Sequence, residues 1–599
     1  MKKSWSNQEL AELLKSVSAA LEVKGKSRFR VTAYDQAADS LESLSASAKT
    51  LWEKGELKNI SGIGEKISGY LSEVFQKGKS DHFEKIQKAV PLAMFELIKV
   101  NGIGPKTAYK LCQELGIKAR KNALRRTLKA AKKGKIRQIM GFGKKSEADI
   151  KAGISDYLRQ EKKEKRMLLS EALEISEKII RFLQKDKKVI RADVLGSIRR
   201  GSATVGDIDL SIATNDPQAV IKKLEIYPKL SKVLEAGRKK ISFLLSSGHQ
   251  IDAYVQDPKA YGSLLQHFTG SKHHNIRLRE IALEKGFSLS EHGMKDTRKR
   301  KKYSFEKEKD FYQFLGMDYI PPELRENQGE IEQAQKGSLP KLAELKDIKG
   351  DLQLHSSFPI EPSHDLGKSS FAQMLKKGKE LGYHYLGFTE HNPSLSQHNK
   401  NQIIVLLKSK EKKIEELRKT IGRKLKIEII NGLEVDIRPD GQLALPESGF
   451  LYLDYVIASI HSVFNQDKKT MTKRIVRGLS HPKVKILGHP TTRMLNKRSE
   501  IEADWEEIYA FCLKENKILE INASPNRLDL PDILVRQAIS RGLKLIINAD
   551  SHHVTQMDFM KYGVIVAKRG WAKKSDIVNC YPFADLCEIM KIEKGVIDK

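Results

Sequence analysis

Residues 195–210 read LGSIRRGSATVGDIDL, and this stretch constrains the chain more than any other. Apolar residues alternate around Val205, Ile208, Leu210 and Ile212, the period of a strand, in which residues two apart project from one face. Asp207 and Asp209 therefore point the same way. Two like charges so close are unfavourable unless a cation lies between them, and hard carboxylate oxygens suit Mg²⁺ or Mn²⁺. Upstream, Gly196 and Ser197 let backbone N–H groups approach an anion, while Arg199 and Arg200 supply charge-assisted hydrogen bonds to phosphate. Asp252, in the strand-like SGHQIDAYV, offers a third carboxylate. An exposed strand that happens to carry D-x-D is the plainer alternative. The Gly-Ser pair, the arginines and Asp252 together favour a two-metal site for in-line nucleotidyl transfer.

These residues resemble the palm of family X DNA polymerases, and the match continues in order. His267-Phe268-Thr269-Gly270-Ser271 with Asn275 and Arg279 is similar to that family's nucleotide-selecting segment, and YIPPELRE at 319–326 to the end of its thumb. The resemblance implies that Gly196, Ser197 and Arg200 hold a deoxynucleoside triphosphate, and that Asp207 and Asp209 ligate both metals. By the same token Asp252 activates the primer 3′-hydroxyl, Phe268 and Gly270 line the sugar pocket, and Asn275 and Arg279 touch the nascent pair. Gln250 stands where beta-type members carry an arginine, read as tuning of the third aspartate.

Lys+Arg 108 against Asp+Glu 76 gives a net charge of +32, which points to a polyanionic partner. With 599 residues the chain has room for about four domains. Cys112, Cys512, Cys580 and Cys587 are scattered without a C-x-x-C, so neither disulfides nor a zinc ribbon are expected. No run approaches the roughly 18 apolar residues of a membrane span, and the N-terminus lacks an apolar signal core. The expectation is a cytoplasmic monomer with no membrane partner.

Asn7 reads as a helix N-cap, and Leu10, Leu13, Leu14, Val17 and Leu21 follow at helical spacing, opening an all-α region. LKNISGIGEKIS at 57–68 reads as helix, Gly-hydrophobe-Gly turn, helix; ELIKVNGIGPKTAYKL at 96–111 repeats it, and KIRQIMGFGKKSEADI at 135–150 is a looser copy. In each G-x-G the glycines allow a tight turn that presents N–H groups at a helix N-terminus, where a phosphate oxygen is favoured. An ordinary glycine turn explains one copy, but three in a basic chain argue for backbone binding.

These copies resemble helix-hairpin-helix motifs, which implies DNA contacts at Gly62, Gly64, Gly102, Gly104, Lys106, Gly141 and Gly143, with K⁺ or Na⁺ at the turns. In beta-type polymerases the first helical domain also binds a 5′-phosphate, and Arg30, Tyr34, Lys58 and Lys66 match those positions. Its Schiff-base lysine falls on Tyr70, and a phenol cannot form an imine. Lys66 is the substitute candidate. A charged helix over 155–166 reads as a bridge to the palm, and KDTRKRKK at 295–302 as a basic hairpin or loop.

From Gly350 short apolar strands alternate with helices, as in YLGFTEH, YVIASIH and KLIINADSHH, the pattern of a parallel barrel or doubly wound sheet. His355, His391, Glu434, His461, His489, Asp550 and His552 fall at successive strand ends, the active face of such barrels. A lone buried histidine is usually structural; seven N/O donors in series are not explained that way. The series resembles the PHP (polymerase and histidinol phosphatase) domain of bacterial-type family X polymerases, a distorted barrel holding up to three metals for phosphoester hydrolysis. That resemblance has Glu434 bridging two metals, with His461 and His489 on one, His355 and Asp550 on another, and His391 and His552 on a third. Mn²⁺ or Zn²⁺ suits this donor set.

Three positions depart from the PHP pattern. Gln353 replaces the first histidine of H-x-H, Ile360 stands where an aspartate is usual, and Glu390 replaces an aspartate beside His391. His364 or Asp365 is the candidate to restore the second position. The resulting division is 1–85, a helical domain with the first hairpin; 86–165, a fingers-like region; 166–260, an α+β palm; 261–330, a thumb; 331–346, a linker; and 347–599, the PHP barrel. The function expected is filling of short gaps in gapped or primer-template DNA, coupled to a Mn²⁺-dependent 3′-to-5′ exonuclease. The competing readings are a polymerase with a decayed, structural PHP domain, and a template-independent or RNA nucleotidyltransferase.

Overall fold

The computed structural model describes residues 5, 7–42, 48–53, 55, 57–59, 62–100, 102–161 and 166–592. They fall into two compact units, divided between Glu164 and Lys165.

The first unit is all-α among its described residues. Asn7 opens the helix Asn7–Val23, but its side-chain oxygen accepts from the Ala48 N–H at 2.7 Å, so it ties two segments together. Each G-x-G precedes a helix: Glu65–Lys77, Pro105–Glu114 and Lys144–Glu161. The first glycine of each turn is left-handed, with φ of 79° at Gly62, 85° at Gly102 and 86° at Gly141, a conformation that side chains resist. The charged helix expected over 155–166 is the end of Lys144–Glu161, and residues 162–165 lie outside the described set.

The second unit contains two sheets that matter for function. In the palm, five strands run in the order Arg191–Val194, Ile208–Ala213, Gln250–Gln256, Lys240–Leu245 and Leu230–Ala236. Ile208, Leu210 and Ile212 are fully buried against the helix Leu169–Leu183, which fixes the strand's register because a one-residue slip would expose all three. Ile208–Ala213 pairs in parallel with Gln250–Gln256, with Asp209 opposite Asp252. The thumb follows with helices Tyr261–Thr269 and Lys272–Glu284. Next come a small antiparallel sheet, whose strands Gly293–Asp296 and Lys302–Tyr303 form the basic hairpin, and the helix Glu308–Phe314.

Seven parallel strands from Gly350–Leu354 to Leu545–Asn548 lie in sequence order, each beside the next. Strands such as Tyr455–Ser459 are buried throughout, as expected where helices cover the outside and side chains fill the inside. The first and last strands nearly close the barrel: Leu354 bridges Ser551 in parallel, and the Leu352 N–H donates to Asn548 Oδ1 at 3.0 Å. Residues 331–346, read as a linker, are pinned at both ends. Glu330 is buried against His274 at 2.7 Å, and the Ala343 N–H donates to the Ala572 carbonyl at 2.9 Å.

Candidate functional site

Carboxylate oxygens of Asp207, Asp209 and Asp252 lie within 4.8 Å of one another at the palm surface. Burial, then the charges of Asp207 and Asp252, push the Asp209 carboxyl up to about 7, against the opposing pull of Arg200 and Lys240. A cluster that holds its own proton at neutral pH is short of positive charge, and three converging carboxylates fit a hard divalent cation. Asp252 is aimed from two sides: the Ser242 hydroxyl donates to Oδ1, and the Gln250 amide to Oδ2 at 3.1 Å. Gln250 thus gives Asp252 a neutral hydrogen bond, while Lys240 Nζ stands 4.0 Å from its other oxygen. Gly196 is left-handed (φ 55°), and a Cβ there would lie 2.4 Å from Asp209 Oδ2, so the Gly196-Ser197 turn and the carboxylates are packed into one structure.

The remaining polymerase candidates lie on the arginine turn and on the two helices that follow the palm. Arg199 is taken up structurally: it bonds Thr269 and forms a bidentate pair with Glu308, at 3.0 and 2.7 Å, which is itself bonded to the buried Arg325. Arg200 donates to Glu326 Oε1 at 3.0 Å and to the Thr269 carbonyl. Phe268 stacks on Tyr254 with ring centroids 4.0 Å apart, and a Cβ on Gly270 would come within 3.0 Å of Arg200 Nη1. Asn275 bonds the His267 carbonyl and Gln266, and Arg279 lies one turn further along the same helix, exposed. Ser242 and Lys240 carried no sequence motif and are brought in by strand pairing, whereas Tyr254 lies two residues beyond Asp252 on the same strand.

In the first unit Lys58, Lys66, Lys106 and Arg30 are exposed. Tyr34 is buried with its hydroxyl 3.3 Å from His82 Nε2, and Tyr70 stacks flat on the His82 ring at 4.0 Å. Tyr70 therefore fills an aromatic stack at the position where an amine was sought.

The barrel gathers its donors at one end. His355, Glu434 and Asp550 form one group with ligand atoms within 4.8 Å, His391, Glu434 and His461 another, and His355, His391 and His552 a third. His489 Nε2 is 3.0 Å from Glu434 Oε1. Burial alone would raise the Glu434 carboxyl, but His391, His461 and His489 around it hold it well below its ordinary range. Burial, then the nearby Arg527 charge, brings His489 down to about 4, which keeps it neutral as a ligand must be. Buried nitrogens of His355, His391, His489 and His552, and Glu434 Oε2, have no hydrogen-bond partner, the pattern left by a site built for cations. His489 and Asp550 also hold left-handed backbone, at φ 28° and 53°, unusual for residues other than glycine.

The three departures from the PHP pattern have distinct structural outcomes. Gln353 is fully buried with both amide atoms unpartnered. Ile360 is buried in the apolar core, so no donor stands there. Asp365 comes in instead, 3.2 Å from His391 Nε2 and 3.3 Å from His552 Nε2, while His364 pairs with Asp436 at 2.9 Å, itself 2.6 Å from His461 Nδ1. Glu390 turns away into an ion pair with the fully buried Lys410 at 2.6 Å and bonds to Ser356. Asp436 was invisible as a participant because its neighbour Glu434 carried the motif.

Four family models match in chain order: a helix-hairpin-helix domain at 5–80, a tandem helix-hairpin-helix at 94–156, the DNA polymerase beta thumb at 264–326 and the PHP domain at 351–524. DNA polymerase lambda of Arabidopsis thaliana is 27% identical over 306 residues, 45% of this chain and 53% of its own length. A probable phosphatase of Thermoanaerobacter sp. (strain X514) is 31% identical over 136 residues, 21% of this chain and 53% of its own. The DNA polymerase/3′-5′ exonuclease PolX of Bacillus subtilis (strain 168) is 33% identical over 586 residues, 98% of this chain and 99% of the relative. An alignment that runs nearly end to end in both proteins, through hairpins, thumb and barrel alike, means that the chain belongs to the family X DNA polymerases bearing a C-terminal PHP domain.

Proposed function

We propose that this chain is a DNA polymerase that fills short gaps in repair, with a 3′-to-5′ exonuclease in its barrel. The observation that carries the reading is the pair of separate ligand clusters, all-oxygen in the palm and mixed histidine and carboxylate in the barrel. In the palm Asp207, Asp209 and Asp252 would hold Mg²⁺ or Mn²⁺; in the barrel His355, His391, Glu434, His461, His489, Asp550 and His552, with Asp365 and Gln353 beside them, would hold Mn²⁺ or Zn²⁺. When bound, such ions offset phosphate charge and favour ionisation of an attacking oxygen.

The protein's own groups do the positioning. Gly196, Ser197 and Arg200 bind the triphosphate of the incoming nucleotide, with N–H groups and a guanidinium matched to its charge. Asp252, held by Ser242 and Gln250, accepts the proton of the primer 3′-hydroxyl at Oδ2. The Phe268 ring, fixed by Tyr254, and Gly270 shape the sugar pocket, while Asn275 and Arg279 meet the base pair. The hairpin glycines Gly62, Gly64, Gly102, Gly104, Gly141 and Gly143, with Lys106 and K⁺ or Na⁺ at the turns, grip the backbone. Arg30, Tyr34, Lys58 and Lys66 receive a 5′-phosphate. The deciding assay uses one labelled gapped duplex with Mg²⁺ or Mn²⁺. Asp207→Ala should lose extension and keep degradation, and His489→Ala the reverse; either variant losing both together, or neither, would sink the two-site reading.

A further inference from the structure

We infer that Arg569, in the barrel half, is a positioning residue for nucleotide addition: it sets how firmly Arg200 is withheld from, or released to, the incoming triphosphate. The inference rests on the proposed role of Arg200 as a triphosphate ligand.

The barrel helix Met560–Arg569 lies directly on the end of the phosphate loop. Gly201, next to Arg200, is left-handed (φ 71°), and a Cβ there would lie 2.2 Å from Ile565 Cγ2, so only glycine lets this helix approach so closely. Ile565 packs against both the barrel core and the palm core. Arg569 is 12% exposed and clamped by Asp532, which accepts from Nε and Nη2, both at 2.7 Å. Its remaining nitrogen, Nη1, makes two bonds into the polymerase half. One is to the Arg200 carbonyl at 2.8 Å, the other to Glu326 Oε1 at 3.0 Å.

That same Glu326 oxygen also accepts from Arg200 Nε at 3.0 Å. One carboxylate oxygen is thus shared between two guanidiniums, one facing the triphosphate site and one fixed in the barrel. With side-chain exposures of 15% for Arg200 and 25% for Glu326, solvent screens the contest only partly. The sign follows from the sharing. While Arg569 takes part of the Glu326 charge, Arg200 is held loosely enough to exchange Glu326 for phosphate, and its backbone is anchored through the carbonyl. Without Arg569, Glu326 pairs with Arg200 alone and the anchor is gone, so Arg200 is drawn away from the nucleotide. The barrel thereby contributes to nucleotide binding without touching it.

The test is single-nucleotide addition by the full chain on a primer-template, read as KM for the deoxynucleoside triphosphate against kcat. R569Q should raise KM about fivefold to tenfold with kcat within about twofold, and leave Mn²⁺-supported degradation unchanged; a loss of charge-assisted bonding of this kind has that scale. E326Q, which keeps the shape and removes the charge, should lower KM about twofold alone and reverse most of the rise in the R569Q background. R569K, able to keep the charge but not both bonds, should fall between wild type and R569Q. Unchanged KM in R569Q, no reversal by E326Q, or R569K equal to wild type would each overturn the inference, the last by reducing Arg569 to a distant charge. R200Q separates the two levels: if it too leaves KM unchanged, the triphosphate assignment has failed; if it raises KM while R569Q does not, only the positioning role has.

Discussion

Replacing Asp209 by asparagine should abolish nucleotide addition and at the same time stabilise the metal-free protein at alkaline pH. The carboxyl titrates near 7 in the fold against an ordinary 3.8, chiefly because it is buried and then because Asp207 and Asp252 repel its charge. A group whose proton is held that much more tightly in the folded state destabilises the fold once it must ionise, by at most about 4 kcal/mol above pH 7. Partial solvent exposure and residual repulsion in the unfolded chain reduce this, and about 2 kcal/mol is the expectation. The sign is fixed by proton uptake: between about pH 4 and 7 the folded state binds the extra proton, so stability falls with rising pH across that window and the full penalty remains above it. Asparagine removes the penalty. In EDTA, the palm transition of Asp209→Asn should melt roughly 4–8 °C above wild type near pH 8, and the gain should shrink to less than half near pH 5. Added Mn²⁺ should reverse the order near pH 8, since ions that bind only the intact carboxylate cluster stabilise wild type by mass action. A gain that is independent of pH, or wild type and variant responding alike to Mn²⁺, would refute the argument that these carboxylates are held together against their own repulsion for a cation.

Three further outcomes are expected. Gly102→Ala combined with Gly104→Ala should weaken binding to gapped DNA whatever its sequence and flatten its salt dependence: the first residue is forced into left-handed backbone at about 1–2 kcal/mol, while the second has open space around its Cβ and obstructs only the approaching phosphate. An unchanged binding curve across salt concentrations would make this hairpin merely structural. Borohydride should trap little or no chain on 5′-deoxyribose phosphate ends, because Tyr70 is stacked on His82 and carries no amine; efficient trapping lost in Lys66→Ala would show the substitute lysine at work. Gln353→His should raise Mn²⁺ bound per chain at limiting concentration and Asp365→Asn should lower it, measured by metal analysis after gel filtration; equal metal content in all three proteins would remove both residues from the site.

The parts of the fold that were legible in the sequence are those written in short range. The D-x-D, the G-x-G turns and the strand-end donors each need only a few neighbouring residues, and periodicity located their elements within a few positions. Asp252 was legible as a third carboxylate, but neither the strand register that brings it to Asp209 nor Ser242 beside it was. Asp209 faces Asp252 because two strands, with these residues 43 positions apart, run in parallel, and Ser242 reaches Asp252 because a third strand pairs on the other side. Nothing local in the sequence encodes that register. The partner of Glu390 was not legible for a related reason: Lys410, on the helix Lys400–Leu417, supplies the buried cation that pairs with it. The 331–346 stretch looked like a free connector because its apolar content is low, yet Ile331 and Ala334 are enough to bury its short helix.

The barrel also explains how a ligand set can lose members and still converge. Glu434 sits within a strand, 1% exposed, and the histidines around it are placed by the ends of adjacent parallel strands whose register cannot slip without unpacking the core. That centre is fixed by the fold. The position that Ile360 occupies lies in the loop after the first strand, outside the paired backbone. There the chain buries Ile360 and runs on until Asp365 reaches His391 and His552 from the solvent side, its side chain still 64% exposed. An exposed loop donor holds a cation less firmly than a buried strand-end donor, because solvent competes for it and its ordering must be supplied on binding. Affinity should therefore fall from the Glu434 centre outward to the Asp365 edge, and chelator titration of the Mn²⁺-loaded chain should remove the His391/His552 ion first. Loss of all bound metal in a single step would mean that the loop and the strand ends form one cooperative site after all.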